Sequence, residues 1–214
     1  MKGQSIVIFV GFIIAVVLPG CGPKTAPIKY DPVNTEMIHK ELGQNVTVAI
    51  LDFPDERKDS EGKETMVGTV YGGFKNAVKR IYSEQPINLD VIDALGNLFS
   101  ANGFHVKKYP GVMNHTELTD ERLVVQGQIN KFWSEVYQRM GAIVDIDISI
   151  YDRKYDKFVW SGKIEDFQKK GASLDTTKMF SLLTEVLANA IRKAWTEQGM
   201  QQALESWSKE QEST

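Results

Sequence analysis

Asp145 and Asp147 stand two residues apart in a segment that alternates apolar and polar side chains, so a strand would hold both carboxylates on one face, with Ser149 beyond them. Carboxylates paired in this way can hold a divalent cation or divide acid and base work, the chemistry of a hydrolase. The preceding polar positions are Gln126, Gln128 and Asn130 rather than further acids, so a solvated sheet face accounts for the pair better, and such a face can also meet a partner. Histidine, the commonest general base, occurs at His39, His105 and His115 with no metal-ligand spacing among them. These residues predict no catalytic set, no metal and no cofactor, hence a protein that is not an enzyme.

Two other clusters could recognise a partner. Asp52, Asp55, Arg57 and Asp59 follow an apolar run directly, in the loop position where binding residues gather. The segment Val67-Gly68-Thr69-Val70-Tyr71-Gly72-Gly73-Phe74 resembles a phosphate loop only superficially, because it lacks the Gly-Lys-Ser/Thr ending. Val67, Val70, Tyr71, Phe74, Val78 and Ile81 fall at helical spacing and read as the core face of a helix. Three glycines in the segment weaken that helix, and the other reading is a mobile stretch that presents Tyr71 and Phe74 outward as a binding surface. Asp55, Arg57, Tyr71 and Phe74 are the expected partner-binding residues.

The N-terminus carries an address. Lys2 precedes an apolar run from Ile6 to Leu18, then Leu18-Pro19-Gly20 stands before Cys21, the chain's one cysteine. Residues 1–20 read as a signal peptide, since 13 apolar residues fall short of the ~20 needed to cross ~30 Å of hydrocarbon. Leu18-Pro19-Gly20-Cys21 resembles the bacterial lipobox, with Pro19 where a small residue is usual. That resemblance implies cleavage before Cys21 and its lipidation with diacylglycerol and an amide-linked acyl chain such as palmitate. Two or three chains anchor a protein almost permanently where one binds reversibly. Gly22, in place of Asp, favours the outer membrane over the inner in Gram-negative lipoproteins of this kind. With one cysteine there is no internal disulfide.

The elements behind these residues form one α/β domain of the α+β kind. Lys and Arg number 25 against 28 Asp and Glu, a net charge of -3, and no basic run offers a footprint for nucleic acid. Residues 21–45, with Pro23, Pro27 and Pro32, read as the lipidated cysteine and a flexible tether of about 25 Å, or in part as a short turn in which Met37, Ile38 and Leu42 pack on the domain edge. Within a domain at 46–198, Val46–Phe53 reads as a buried strand. Asn88–Asn102 reads as an amphipathic helix stopped by Gly103, followed by a short strand at Phe104–Val106. From Arg122 the pattern predicts a three-strand meander, with a change of register near Phe132/Trp133, the cleanest strand at Val144–Ile150, a turn at Arg153–Lys157 and a return at Phe158–Ile164. Ser173–Gln198 closes the domain as a helix capped by Asp175. Two or three helices thus cover a mixed, largely antiparallel sheet, and residues 199–214 form a polar tail with Met200, Ala203, Leu204 and Trp207 on one side.

The lipobox, the Val46–Phe53 strand with Asp55-x-Arg57, the Val67–Val70 segment, Asn102-Gly103-Phe104 and Leu123-Val124-Val125-x-Gly127 occur in an order that resembles the YajG-type family of bacterial lipoproteins over most of residues 46–167. The resemblance implies a compact α/β domain that assists transport or cell-wall complexes, with no catalytic residues. The expected function is a membrane-anchored, non-enzymatic envelope lipoprotein facing the periplasm, a partner-binding subunit of an envelope assembly or transport system. The alternatives are a periplasmic carrier of lipid or another small molecule and, last, a hydrolase built on Asp145 and Asp147.

Overall fold

The computed structural model describes residues 25–26, 28–30, 39, 41–44, 46–112, 114–119, 121–171 and 173–212. The signal peptide, Cys21, Met37 and Ile38 lie outside them. The strands are β1 (Thr25–Ala26), β2 (Thr47–Leu51), β3 (Met66–Tyr71), β4 (Ala77–Ser83), β5 (His105–Tyr109), β6 (Leu123–Val136), β7 (Met140–Asp152) and β8 (Lys157–Lys170). The helices are α1 (Ile87–Ala101), α2 (Thr176–Arg192) and α3 (Met200–Glu212), with a π-helical turn at Lys193–Glu197 after α2. The described residues form a mixed α+β fold in which one curled eight-stranded sheet is packed against helices.

β6 organises the sheet. Along one edge it pairs antiparallel with β7, which pairs antiparallel with β8, giving the meander. Its other edge is shared by two parallel partners placed end to end: β2 lies beside Leu123–Val125 and β3 beside Ser134–Val136. β5 extends the sheet from β2 in parallel, β4 pairs antiparallel with β3, and β1 pairs parallel with β4. The β3–β4 hairpin is therefore inserted into a β2–α1–β5 crossover.

The period of two decides β7, where Val144, Ile146, Ile148 and Ile150 are buried and Asp145, Asp147 and Ser149 are half-exposed. In β6 the register shifts between Ile129 and Lys131, slightly before Phe132/Trp133. The bulge changes which residues face the core, from the odd positions Leu123, Val125 and Ile129 to the even positions Phe132 and Val136. β8 runs six residues past Ile164 because the backbone pairing with β7 continues to Met140 opposite Lys170.

Segment 67–81 is a correction to the helical reading. It is a hairpin, not a helix: a Cβ on Gly68 would sit 2.3 Å from the carbonyl oxygen of Ser134, so only glycine lets β3 lie this close to β6. The β-branched Val67, Thr69 and Val70 suit that strand.

α1 buries Ile87, Val91, Ala94, Leu95, Leu98 and Phe99. Its stop is a Schellman turn: Gly103 has φ of 86°, its N–H donates to Ser100 O, and Phe104 N–H donates to Phe99 O while the two rings pack edge to face at 5.3 Å. Asp175 caps α2 by accepting from Thr177 N–H at 2.9 Å, and the stripe from Met179 to Ile191 covers the meander. α3 adds Met200, Leu204 and Trp207 to the same core. Part of the stretch read as a tether is docked, since β1 joins the sheet and Ile28, Tyr30 and Leu42 are buried.

Candidate functional site

The hairpin end of the sheet gathers the exposed aromatics. Between β3 and β4 the chain turns through Gly72–Asn76, with Gly72 N–H donating to Asn76 O and Lys75 N–H to Gly72 O, and Lys75 in the left-handed region at φ 58°. That turn carries Phe74, 98% exposed, at its tip, with Tyr71 half-buried on the strand below. The β6–β7 turn lies alongside: Tyr137 Oη donates to Gly73 O at 3.4 Å, and the Lys75 ammonium sits 5.7 Å from the centre of the Tyr137 ring. The Phe74 side chain is therefore held out into solvent by a hydrogen-bonded backbone.

Asp55 and Arg57 come together, but inward. The Arg57 guanidinium takes both Asp55 carboxylate oxygens at 2.7 Å, through Nε and Nη2. Nη1 donates to Met66 O and Phe132 O, and Nη2 also donates to Glu64 O. All five guanidinium donors are thereby used, and Asp55 bridges to Ile129 of β6. The pair is a buried strut tying the loop after β2 to β3 and β6, with no donor on Arg57 left for a partner.

Asp145 and Asp147 share the polar face with Asn130, Gln128 and Lys163. Asn130 Nδ2 donates to Asp147 at 2.9 Å, and Lys163 Nζ lies 2.9 Å from Asp145 and 3.5 Å from Asp147. The Asn130 hydrogen bond, with help from Lys163 and Gln128, holds the Asp147 carboxyl below its ordinary range, and Asp145 raises the Lys163 ammonium in turn. Asp147 is thus held in its ionised form within a hydrogen-bonded stripe, where Lys163 offsets part of the carboxylate charge. His39, His105 and His115 do not converge: His39 meets Gln201, His105 is exposed on β5 and the His115 ring stacks near Tyr151. Among the described residues no group of three His, Cys, Asp or Glu is placed to hold a metal.

One buried carboxyl has no counterpart in the sequence reading. Asp90 is 2% exposed on α1, where it accepts from Ser83 Oγ and Gln85 Nε2, each at 2.8 Å. Burial pushes it up to about 6 against those two hydrogen bonds, and Asp93 and Glu84 add to the rise. It borders an open cleft of about 740 Å³ between α1 and the docked Ile28–Tyr30 segment. The signal was available: Asp90 falls one residue before Val91 and four before Ala94, a carboxylate inside the apolar stripe of the helix.

The fold has counterparts among solved structures. A protein of the DUF330 family from Xanthomonas campestris is similar with a TM-score of 0.52 at 11% identity, covering 88% of this chain and 97% of that one. More distant likenesses are the PelC dodecamer protein from Paraburkholderia phytofirmans (TM-score 0.41, 12% identity, 70% and 87% covered) and lipoprotein GNA1162 from Neisseria meningitidis (TM-score 0.38, 13% identity, 69% and 99% covered). No protein-family model and no curated protein matches the sequence. The Xanthomonas protein shares the fold at this level of identity. No helix among the described residues is long and apolar enough to cross a membrane.

Proposed function

We propose that this chain is a lipid-anchored, non-enzymatic lipoprotein of the bacterial cell envelope that serves as a partner-binding, auxiliary subunit of an envelope assembly or transport system. Its domain faces the periplasm, and Gly22 after the lipidated Cys21 directs it to the outer membrane. The observation that carries the reading is Phe74, a fully presented aromatic fixed on a paired hairpin beside Tyr71 and Tyr137. An exposed aromatic on an ordered backbone offers apolar area to a partner at the cost of only two side-chain torsions. The hairpin end is thus the contact surface, with the Asp55–Arg57 strut holding its base.

The test is gentle crosslinking in cells followed by recovery of the full-length protein from membranes. The expected result is one reproducible complex that Tyr71→Ala combined with Phe74→Ala weakens while leaving the protein's abundance unchanged. A complex that survives the double substitution intact would assign the contact elsewhere.

A further inference from the structure

Three apolar side chains are uncovered at the hairpin end: Phe74 at 98%, Val78 at 64% and Tyr137 at 37% exposure. Cations surround them. Lys75 leans on the Tyr137 ring, Lys79 lies on β4, Arg139 is exposed in the β6–β7 turn, and Lys169 is exposed on β8 opposite Gly141. Of the acids at this end, Glu135 is exposed on β6, and Glu185 is already paired with Lys170.

The direction of β1 connects this end to the anchor. Thr25 lies opposite Tyr82 and Ala26 opposite Ser83 in a parallel pairing. A parallel partner runs the same way, so β1 enters the sheet from the side of Ala77 and the hairpin turn. Cys21 precedes Thr25 by four residues, which reach at most about 14 Å. Val78 precedes Tyr82 by the same number, about 13 Å along the strand. The reach of the anchor and the distance to the tip coincide, because docking of Thr25–Ala26 leaves three residues between Cys21 and the sheet.

We propose that the β3–β4 hairpin end is a second membrane contact, in which Phe74 and Val78 enter the interfacial layer of the leaflet that holds the Cys21 lipid and Lys75, Lys79 and Arg139 meet anionic headgroups. Aromatic and aliphatic tips with basic neighbours suit that layer, where the ring enters the acyl boundary and the cations stay at the charged surface. The inference rests on the reading of Cys21 as lipidated and gives the hairpin surface a lipid occupant, with Tyr71 at the rim of the contact. Two attachment points fix an orientation that one flexible anchor cannot. β7 starts at this end and runs 13 residues, so the β7–β8 turn and the adjoining end of α3 stand about 40 Å away, on the periplasmic side.

The test uses the full-length lipidated protein reconstituted into vesicles of phosphatidylethanolamine and phosphatidylglycerol. The thioether to diacylglycerol removes Cys21 from thiol chemistry, so Phe74→Cys gives a single site for a nitroxide label, and Lys154→Cys in the β7–β8 turn gives the reference. The readout is the label's collision rate with lipid-soluble oxygen relative to a water-soluble nickel chelate. The expected ratio is higher at position 74 than at 154, and it falls toward that at 154 when Lys75, Lys79 and Arg139 are changed together to Gln. Equal ratios at the two positions, with acylation confirmed by the mass of the N-terminal peptide, overturn the membrane contact. A label at 74 shielded from both reagents also overturns it, in favour of a protein surface. An N-terminal peptide without lipid overturns the anchor itself, and the mass reads this independently of the label.

Discussion

Arg57 and Phe74 are two parts of one expected contact surface, and the fold sends them opposite ways. Arg57 is 6% exposed with every donor committed to Asp55 and three carbonyls; Phe74 is almost wholly in solvent on a turn that hydrogen-bonds to itself and to Tyr137. Both stand next to β3, one at its base and one at its tip. A charged motif after a strand is ambiguous until the backbone acceptors around it are known. Three carbonyls converging on one point are a demand that only a guanidinium with its planar fork meets.

Removing one member of a buried, hydrogen-bonded pair leaves its partner charged in a poor solvent, so Arg57→Ala is expected to cost about 3–5 kcal/mol in urea unfolding. Loss of under 1 kcal/mol would show that the strut is not structural.

A second buried charge sharpens the contrast, because Asp90 is supplied with only two donors. Its folded value of about 6 lies above the ordinary 3.8, so the native state holds the proton more tightly than the unfolded chain. The folded protein therefore gains stability from this group as pH falls from 7 through 6 toward 4, by up to about 3 kcal/mol, and the gain is complete below the unfolded value. Asp90→Asn is expected to abolish that slope, measured as the difference in unfolding free energy between the two proteins at pH 7 and pH 5. Glu121 acts with the opposite sign: Lys107 and Tyr109 hold it down to about 2, and its stabilisation is lost only as pH falls from about 4.5 toward 2.

The smallest effect belongs to the tip. Phe74→Ala uncovers nothing in the core and is expected to change unfolding free energy by no more than about 0.5 kcal/mol, while weakening whatever the hairpin end touches.

How far the sequence reveals this molecule depends on whether local or distant atoms decide each element. The alternation at Val144–Ile150, the stripe from Met179 to Ile191 and the stop at Gly103 follow from period and backbone preference, and those elements are legible. Segment 67–81 is not, because the same apolar positions fit a helix, and the atom that excludes it is the Ser134 carbonyl more than 60 residues away. The end of β8 is hidden for a similar reason, since its last residues are polar and only pairing with β7 makes them a strand. At the candidate site, the exposure of Phe74 could be read from the glycines around it, whereas the burial of Arg57 and Asp90 depends on carbonyls and side chains contributed by other elements.

The most direct test of the account places a photoreactive residue at position 74 in one protein and at exposed Lys58, beside the strut, in another, and compares adducts formed in intact cells. The account predicts lipid or protein adducts from position 74 and background from position 58. Equal yields, or adducts from position 58 alone, would contradict it.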